Sequence, residues 1–342
     1  MVRMTDIALE AGVSRSTVSL VLNNKHTAVG IPESTRRRVM SAATQLGYRP
    51  NETARAMVTG KNRVIVYLLH DPSQEVASRI LKGALHEAEQ HGYLIKLVGR
   101  EGAFDERDIE RCVELRPVGV MALYVTPSIT EYLRTEMARY RIPVVLLDSS
   151  FPLPGVTRVL SDDIDGIWQG ISHLHNLGHR RIAYISGPQS SGAAALREEG
   201  YRRAMARLGL PIPEEYVVYG DWQIQMIRSV TQPLLADAAQ RPTALFCADD
   251  KTALIASCTA DQMGIHVPEA LSIVGFADLE MARYGNPPLT TIAQPFADLG
   301  VAAVRSLLTA AHRPEKQEES EAVELLLPNQ LVIRESTAPV PL

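Results

Sequence analysis

The sequence predicts an all-α helix-turn-helix head followed by an α/β body of parallel sheets flanked by helices. Three observations lead there. Basic residues crowd the first 61 positions, two short amphipathic stretches in that region flank a glycine turn, and from about Arg63 onward apolar runs alternate with helical segments. A length of 342 residues suits a small module joined to a larger two-part unit, each long enough to bury a core.

The formal charge of −4 hides an asymmetry. Residues 1–61 hold nine Lys or Arg against four acids, leaving 26 against 35 for the remainder. A basic head on an acidic body points to a polyanion as partner of the head alone. Nothing at the start, MVRMTDIALEAGV, resembles a signal peptide, and no later stretch has the roughly 18 uninterrupted apolar residues of a spanning helix. A cytoplasmic protein without a membrane partner is therefore expected. Cys112, Cys247 and Cys258 are odd in number, far apart and without metal-ligand spacing, so they read as buried free thiols rather than a disulfide or zinc site.

Taking the elements in order, Thr5 is suited to cap a short helix over 5–11, in which Ile7, Ala8 and Ala11 share one face. Gly12-Val13 breaks it. Ser14 caps the next helix, which runs to about Asn23, and the tight turn between the two makes a helix-turn-helix. A third helix, about Pro32 to Leu46 and ended by Gly47, turns Val39, Ala42, Ala43 and Leu46 inward and Arg36, Arg37 and Arg38 outward. In this arrangement Arg15, Ser16 and Ser19 face base edges, while Ser14 and Thr17 hold phosphates. The segment YRPNETARAMVTGKN is too short for a stable isolated helix and is expected to fold conditionally, with Met57 able to wedge into a minor groove.

Beyond Arg63, the runs VIVYLL, LIKLVG, VGVMALYV, VVLLD, RIAYISG, VVYGD, ALFCADD and SIVGFAD read as strands. Their alternation with amphipathic stretches such as VASRILKGALHEAEQHG predicts parallel sheets, which bind ligands at the carboxyl ends of their strands. No glycine-rich nucleotide-binding motif and no G-x-S-x-G nucleophile elbow occurs, so no cofactor and no catalytic role is expected. His173, His175 and His179 do not make a metal site, because His173 and His175 would point about 200° apart on a helix.

An ordered set of short matches carries a resemblance. Thr5-Asp6-Ile7-Ala8, Ala11-Gly12-Val13-Ser14, Thr17-Val18-Ser19, Val21-Leu22-Asn23, Leu46-Gly47-Tyr48-Arg49-Pro50-Asn51 and Ala54-Arg55 together resemble the DNA-binding head of the lactose/galactose-repressor (LacI/GalR) family. The likeness continues through SDDIDG, HLHNLGHRRIAYISGP, REEGYRRAM, GDW and PLTTIAQP, which resemble a periplasmic-binding-protein-type body. It implies a homodimeric regulator, expected to repress, that reads a near-palindromic DNA operator through Thr5, Ser14, Arg15, Ser16, Thr17, Ser19, Asn23, Asn51, Ala54 and Met57. A helix-turn-helix over 1–49, a hinge over 50–62 and an effector-binding domain over 63–338 follow. The lobes would comprise about 63–161 with 293–323, and 162–292 with 324–338, joined by three crossovers.

The resemblance also implies a small carbohydrate-like effector in the cleft between the lobes, lined by Asp148, Arg197, Trp222, Asp249 and Gln294, with His70 and Ser73 contributing from the first loop. Arg197 and Asp249 would clamp hydroxyls and Trp222 would stack on the ring. Several positions depart from the family pattern. Leu20 stands where many members place a polar or basic residue, Pro32 replaces a Ser or Thr cap, and Met57 replaces the usual leucine. In the body, Asp249 stands at a common asparagine position and Ala277 where an acid often occurs. The helix bearing Ile80, Ala84 and Leu85 is expected at the dimer interface, and the tail STAPVPL lacks the leucine heptad of a tetramerising coil. A sugar-binding receptor of the same body fold, without a regulatory role, is the alternative reading.

Overall fold

The structure is a computed structural model that describes residues 2–23, 26–27, 29–49, 62–99, 102, 104–123, 126–147, 155–313 and 323–340. Contacts divide the chain into two units, Met1–Asn62 and Arg63–Leu342.

In the first unit, helices α1 (Met4–Ala11), α2 (Arg15–Leu22) and α3 (Glu33–Gln45) enclose a core of Ile7, Ala8, Ala11, Val18, Val21, Val39, Ala42 and Ala43. Small residues let three short helices approach closely, and each buried Val or Ile contributes about 1.5–3 kcal/mol. Gly12 takes the left-handed conformation, φ 59°, that the sharp turn between α1 and α2 demands. One cap differs from expectation. Helix α1 starts at Met4, so Thr5 lies within its first turn, and the Asp6 carboxylate instead accepts the Arg3 amide at 2.7 Å.

The second unit holds two six-stranded sheets, each covered by helices on both faces. In chain order the elements of the first lobe are β1 (Val64–Leu69), α4 (Glu75–Gln90), β2 (Leu94–Gly99), α5 (Glu106–Glu114), β3 (Gly119–Leu123), α6 (Pro127–Arg139), β4 (Val144–Leu147) and β5 (Thr157–Ser161). The chain then crosses to α7 (Asp163–Asn176), β6 (Ile182–Ser186), α8 (Gly192–Arg207), β7 (Val217–Tyr219), α9 (Ile224–Ala236), β8 (Ala244–Cys247), α10 (Asp250–Gln262), β9 (Ser272–Ala277), α11 (Glu280–Tyr284) and β10 (Thr290–Ala293). It returns for α12 (Phe296–Ala311) and β11 (Glu324–Leu327), and crosses a last time to β12 (Gln330–Val332). The sheet orders are β11-β5-β4-β3-β1-β2 and β12-β10-β9-β8-β6-β7, parallel except for the antiparallel pair β10 and β12.

Apolar strands such as Val64–Leu69 and Ile182–Ser186 are buried almost throughout, as sheets covered on both sides require. Helices α4 and α12 close one face of the first sheet, and α5 and α6 the other. The first two pack almost backbone to backbone. A Cβ built on Gly83 would fall 1.9 Å from the Ala297 carbonyl oxygen, and one on Gly300 would fall 2.1 Å from that of Ile80.

Three expectations change. The last crossover lies at Pro328-Asn329 rather than at 323/324, because β11 pairs with β5 in the first sheet, with Glu324 opposite Arg158 and Leu327 opposite Ser161. Ile80 and Ala84 are buried within the lobe, where α4 meets α12, so of the three residues assigned to an interface only Leu85 is exposed. Cys112 and Cys247 are buried as free thiols, but Cys258 is exposed.

Candidate functional site

Two regions gather the predicted residues. On the head, Ser14 caps α2: its Oγ accepts the Thr17 amide at 3.1 Å and lies 2.7 Å from Ser16 Oγ and 2.9 Å from Thr17 Oγ1. Arg15 and Ser16 point to solvent on the same first turn, while Thr17, Ser19 and Leu20 are half-buried. Asn23 closes the helix, its Nδ2 donating to the Ser19 carbonyl at 2.8 Å and to Ser19 Oγ at 3.3 Å. One end of α2 therefore offers hydroxyls and a guanidinium at a helix N-terminus, the arrangement suited to phosphates and base edges. Thr5 is exposed on α1. Asn51, Ala54 and Met57 lie outside the described residues.

In the body, carboxyl ends of strands from the two sheets approach each other, since Ala277 at the end of β9 is buried among first-lobe residues, including Phe296. Arg197, on α8, is 6% exposed. Its Nε donates to Asp163 Oδ2 at 2.7 Å, Nη1 to the Ala248 carbonyl at 2.8 Å and Nη2 to Gln294 Oε1 at 3.2 Å, with the guanidinium 4.1 Å over the Phe276 ring. Gln294 returns Nε2 to Ser161 Oγ at 2.6 Å and to Asp163 Oδ1 at 3.2 Å. Asn329 Nδ2 donates to Asp163 Oδ1 at 3.2 Å and to the Asp162 carbonyl at 3.1 Å.

These partners share a position in the chain. Ser161 to Asp163 form the first crossover, Gln294 the second and Asn329 the third. All three interlobe connections thus converge on one buried carboxylate and its guanidinium. A desolvated ion pair of this kind needs further hydrogen bonds to offset its burial, and Ser161, Gln294, Asn329 and the Ala248 carbonyl supply them here. Sequence reasoning had Arg197 and Gln294 as cleft residues and missed Ser161, Asp163 and Asn329. The stretch SDDIDG held two of them, but an acid-rich stretch gives no sign of which acid is buried.

The other predicted residues lie around this centre. The Asp249 carboxylate caps α10, accepting the Thr252 amide at 2.6 Å, and follows the Ala248 carbonyl that Arg197 holds. Trp222 is half-buried, and a Cβ on Gly187 would fall 2.6 Å from its ring, so the indole lies flat on that glycine. Its Nε1 is buried and meets no acceptor among the described residues, while Lys251 Nζ donates to its carbonyl at 3.1 Å. Asp221 and Trp222 both adopt positive φ, 50° and 54°, in the turn after β7. On the opposite lobe, His70 Nδ1 lies 2.7 Å from the Gly102 carbonyl and its ring meets Phe104 tilted by 38°, with centroids 4.5 Å apart. Ser73 is exposed, its hydroxyl donating to Asp71 at 2.7 Å. Asp148 lies outside the described residues. The structure thus brings Arg197 and Gln294 into direct contact, strings Asp249 and Trp222 along the second-lobe wall, and sets His70 and Ser73 on the first-lobe side.

Behind that wall Asp250 is fully buried. Burial pushes its carboxyl up to about 7, against hydrogen bonds from the Thr291 hydroxyl and the Leu279 amide that favour the ionised form, while Asp249 and Asp278 nearby favour the neutral one. Its neighbour Asp249 was singled out in the sequence and Asp250 was not, because adjacent acids look alike until one is seen to point inward. No group of three or more His, Cys, Asp or Glu among the described residues could hold a metal ion. No helix among them is long and apolar enough to cross a membrane.

Comparison with known proteins bears on the family and the fold. Residues 3–51 match the profile of bacterial regulatory proteins of the lacI family, and residues 171–337 match a periplasmic binding protein-like domain. The chain is 32% identical to the HTH-type transcriptional repressor CytR of Escherichia coli (strain K12), over 99% of this chain and 97% of that protein. Among solved structures it is similar to the lac repressor dimer bound to operator and the anti-inducer ONPF, with TM-score 0.81 and 29% identity over 98% of this chain and 99% of that one. It is also similar to a complex of the transcriptional regulator CelR with cellobiose, with TM-score 0.69 and 28% identity over 98% of this chain and 100% of that one. The match includes the head, and so closes the reading of a receptor without a regulatory role.

Proposed function

The chain belongs to the lacI family of bacterial regulatory proteins, and from that premise we propose that it is an operator-binding regulator of transcription whose effector, a sugar or related polyhydroxylated molecule, enters the cleft between the lobes. Two copies pair on a near-palindromic duplex, with Arg15, Ser16 and Ser19 of α2 reading base edges and Ser14, Thr17 and Asn23 at its ends holding the backbone. Thr5, Asn51, Ala54 and Met57 join them as candidate contacts. The likeness to an operator-bound dimer supports this half of the reading.

The observation that carries the effector half is the convergence of three crossovers on Arg197 and Asp163. A ligand that takes a hydrogen bond from Arg197 or Gln294 alters the balance of forces at the hinge itself. It therefore favours one lobe arrangement over another, which is what coupling between two sites requires. Trp222 supplies an apolar face for a ring and a buried indole N–H without an acceptor, Asp249 an anionic acceptor for hydroxyls, and His70, Ser73 and Asp148 the facing side. A sugar-binding neighbour of the same fold supports this chemistry.

The test is a thermal-shift screen of the full chain against sugars, sugar acids and nucleosides, followed by gel shifts on operator-like DNA at low salt with and without the hit. A cleft ligand raises the midpoint by mass action. The hit should change duplex affinity, and Trp222→Ala should abolish its thermal shift. Failure to bind any duplex at low salt would remove the regulatory reading, and an undiminished shift in Trp222→Ala would remove the cleft assignment. Consumption of the hit during the assay would instead point to an enzyme.

A further inference from the structure

The lobes meet at a second place besides the crossovers. After β9 the chain makes a turn, Ala277 to Glu280, in which Ala277 has φ 108° and Asp278 φ 50°. Positive φ at two successive non-glycine residues is uncommon and persists only where the surroundings hold it. From its own lobe the turn is held by Asp250, whose Oδ2 accepts the Leu279 amide at 2.7 Å, and by Arg334 and Arg283, which both donate to the Asp278 carboxylate.

It is held from the other lobe as well. Both carboxylate oxygens of Glu75, on α4, accept the Glu280 amide, at 2.9 and 3.0 Å. Arg79, one turn along the same helix, donates Nη1 to the Asp278 carbonyl at 2.9 Å and lies 3.6 Å from Glu75. The Arg79 guanidinium rests 5.0 Å over Phe296, and Ala277 and Leu279 pack into the apolar cluster that contains Phe296 and Ile80. Glu75 and Arg79 thus grip backbone atoms of the opposite lobe, across the line along which the lobes would part.

We propose that this turn is a strap between the lobes, that Glu75 and Arg79 are the positioning residues by which the first lobe holds it, and that movement of the lobes requires its release. The inference rests on the reading that the lobes move about the crossovers. The strap sets how readily they do so, without contact between Glu75 or Arg79 and the effector. Its backbone contacts explain why a strained turn is kept at the lobe junction: the conformation that presents the Asp278 carbonyl and the Glu280 amide to α4 is the one that two positive φ values produce. Release of the strap from α4 would relieve part of that strain but expose Ala277 and Leu279 together, so a gain and a cost oppose each other.

The experiment is amide hydrogen exchange on the full chain, paired with affinity for a duplex that the wild type selects from random DNA. Glu75→Ala and Arg79→Met should each speed exchange of the Glu280 amide at least tenfold and extend faster exchange to amides of the three crossovers around 162–166, 294–299 and 329–331. They should change duplex affinity at least threefold. Glu75→Gln, which keeps an acceptor oxygen, should restore most of both effects, an outcome that general loss of packing would not produce. Faster exchange confined to Glu280, or wild-type exchange throughout, overturns the strap. If the wild type selects no duplex, the regulatory reading fails, and the spread of exchange to the crossovers still decides the strap.

Discussion

Asp163 is 2% exposed and accepts from Arg197, Ser161, Gln294 and Asn329. Removing one member of a buried pair leaves the other charged and unpaired, at a cost of about 3–5 kcal/mol. Asp163→Ala should therefore lower stability by that order in urea unfolding, far more than an exposed acid such as Glu131, whose pair with Arg134 lies in solvent. Asp250 gives a pH dependence of a particular sign. Its carboxyl is raised from 3.8 to about 7, so the folded chain binds more protons than the unfolded one between those values. The stability it supports is present at low pH and is lost as pH rises through that window. Asp250→Asn should accordingly gain in melting temperature relative to wild type at pH 8 compared with pH 5, and a pH-independent difference would show that the buried carboxyl is ionised throughout. Gly187 acts by being small. Gly187→Ala should displace the Trp222 indole, read as a shift of emission in a Trp168→Phe background that leaves Trp222 as the sole tryptophan.

At the scale of elements, the contact between α4 and α12 decides more than either helix's propensity. Replacing a mid-helix glycine by alanine ordinarily stabilises a helix by about 0.5–1 kcal/mol. Gly300→Ala should do the reverse, because its Cβ would fall 2.1 Å from the Ile80 carbonyl oxygen, a backbone atom that cannot rotate away. A lowered melting temperature is expected, and an unchanged or raised one would mean that the helices separate at little cost. The same element-level logic explains which strands were legible. Buried runs such as VIVYLL and SIVGFA are apolar throughout and announce themselves. The four strands at the crossovers, TRVLS, TTIA, ELLL and QLV, have three to five residues, several polar or exposed, and acquire their identity from partners far away in sequence. The last crossover is not legible in the sequence for that reason: nothing in ELLL says that its neighbour is Thr157–Ser161.

At the scale of the whole molecule, charge separation governs the partner. The nine basic residues of positions 1–61 sit on a chain of net charge −4, so attraction to DNA comes from the head against the sign of the rest. Duplex affinity should fall steeply with salt, by a slope of roughly −0.9 per phosphate contact in a log–log plot. Arg37→Ala, at an exposed position of α3, should weaken binding at low salt about equally for different sequences, as measured by fluorescence anisotropy; sequence-dependent weakening would make it a base-reading residue instead. The lobes of the second unit are joined in two ways, by the Asp163 and Arg197 centre at the crossovers and by the Glu75 and Arg79 contacts to the turn after β9.

The sequence by itself determined the class of each part. Helical spacing around Gly12, alternation of apolar runs and the placement of charge are local properties, written within windows of a dozen residues, and they sufficed for the helix-turn-helix head and the parallel-sheet body. The resemblance to the LacI/GalR family, not these patterns, marked Arg197, Trp222, Asp249 and Gln294 as residues worth locating. Tertiary structure alone decided what those residues meet. That Asp163 is buried and Asp165 is not, that Ile80 faces α12 rather than a partner, and that Glu75 reaches an amide 205 positions away are facts of pairing between distant segments. Burial and partnership depend on what the rest of the chain brings to a residue, and no local pattern contains that information.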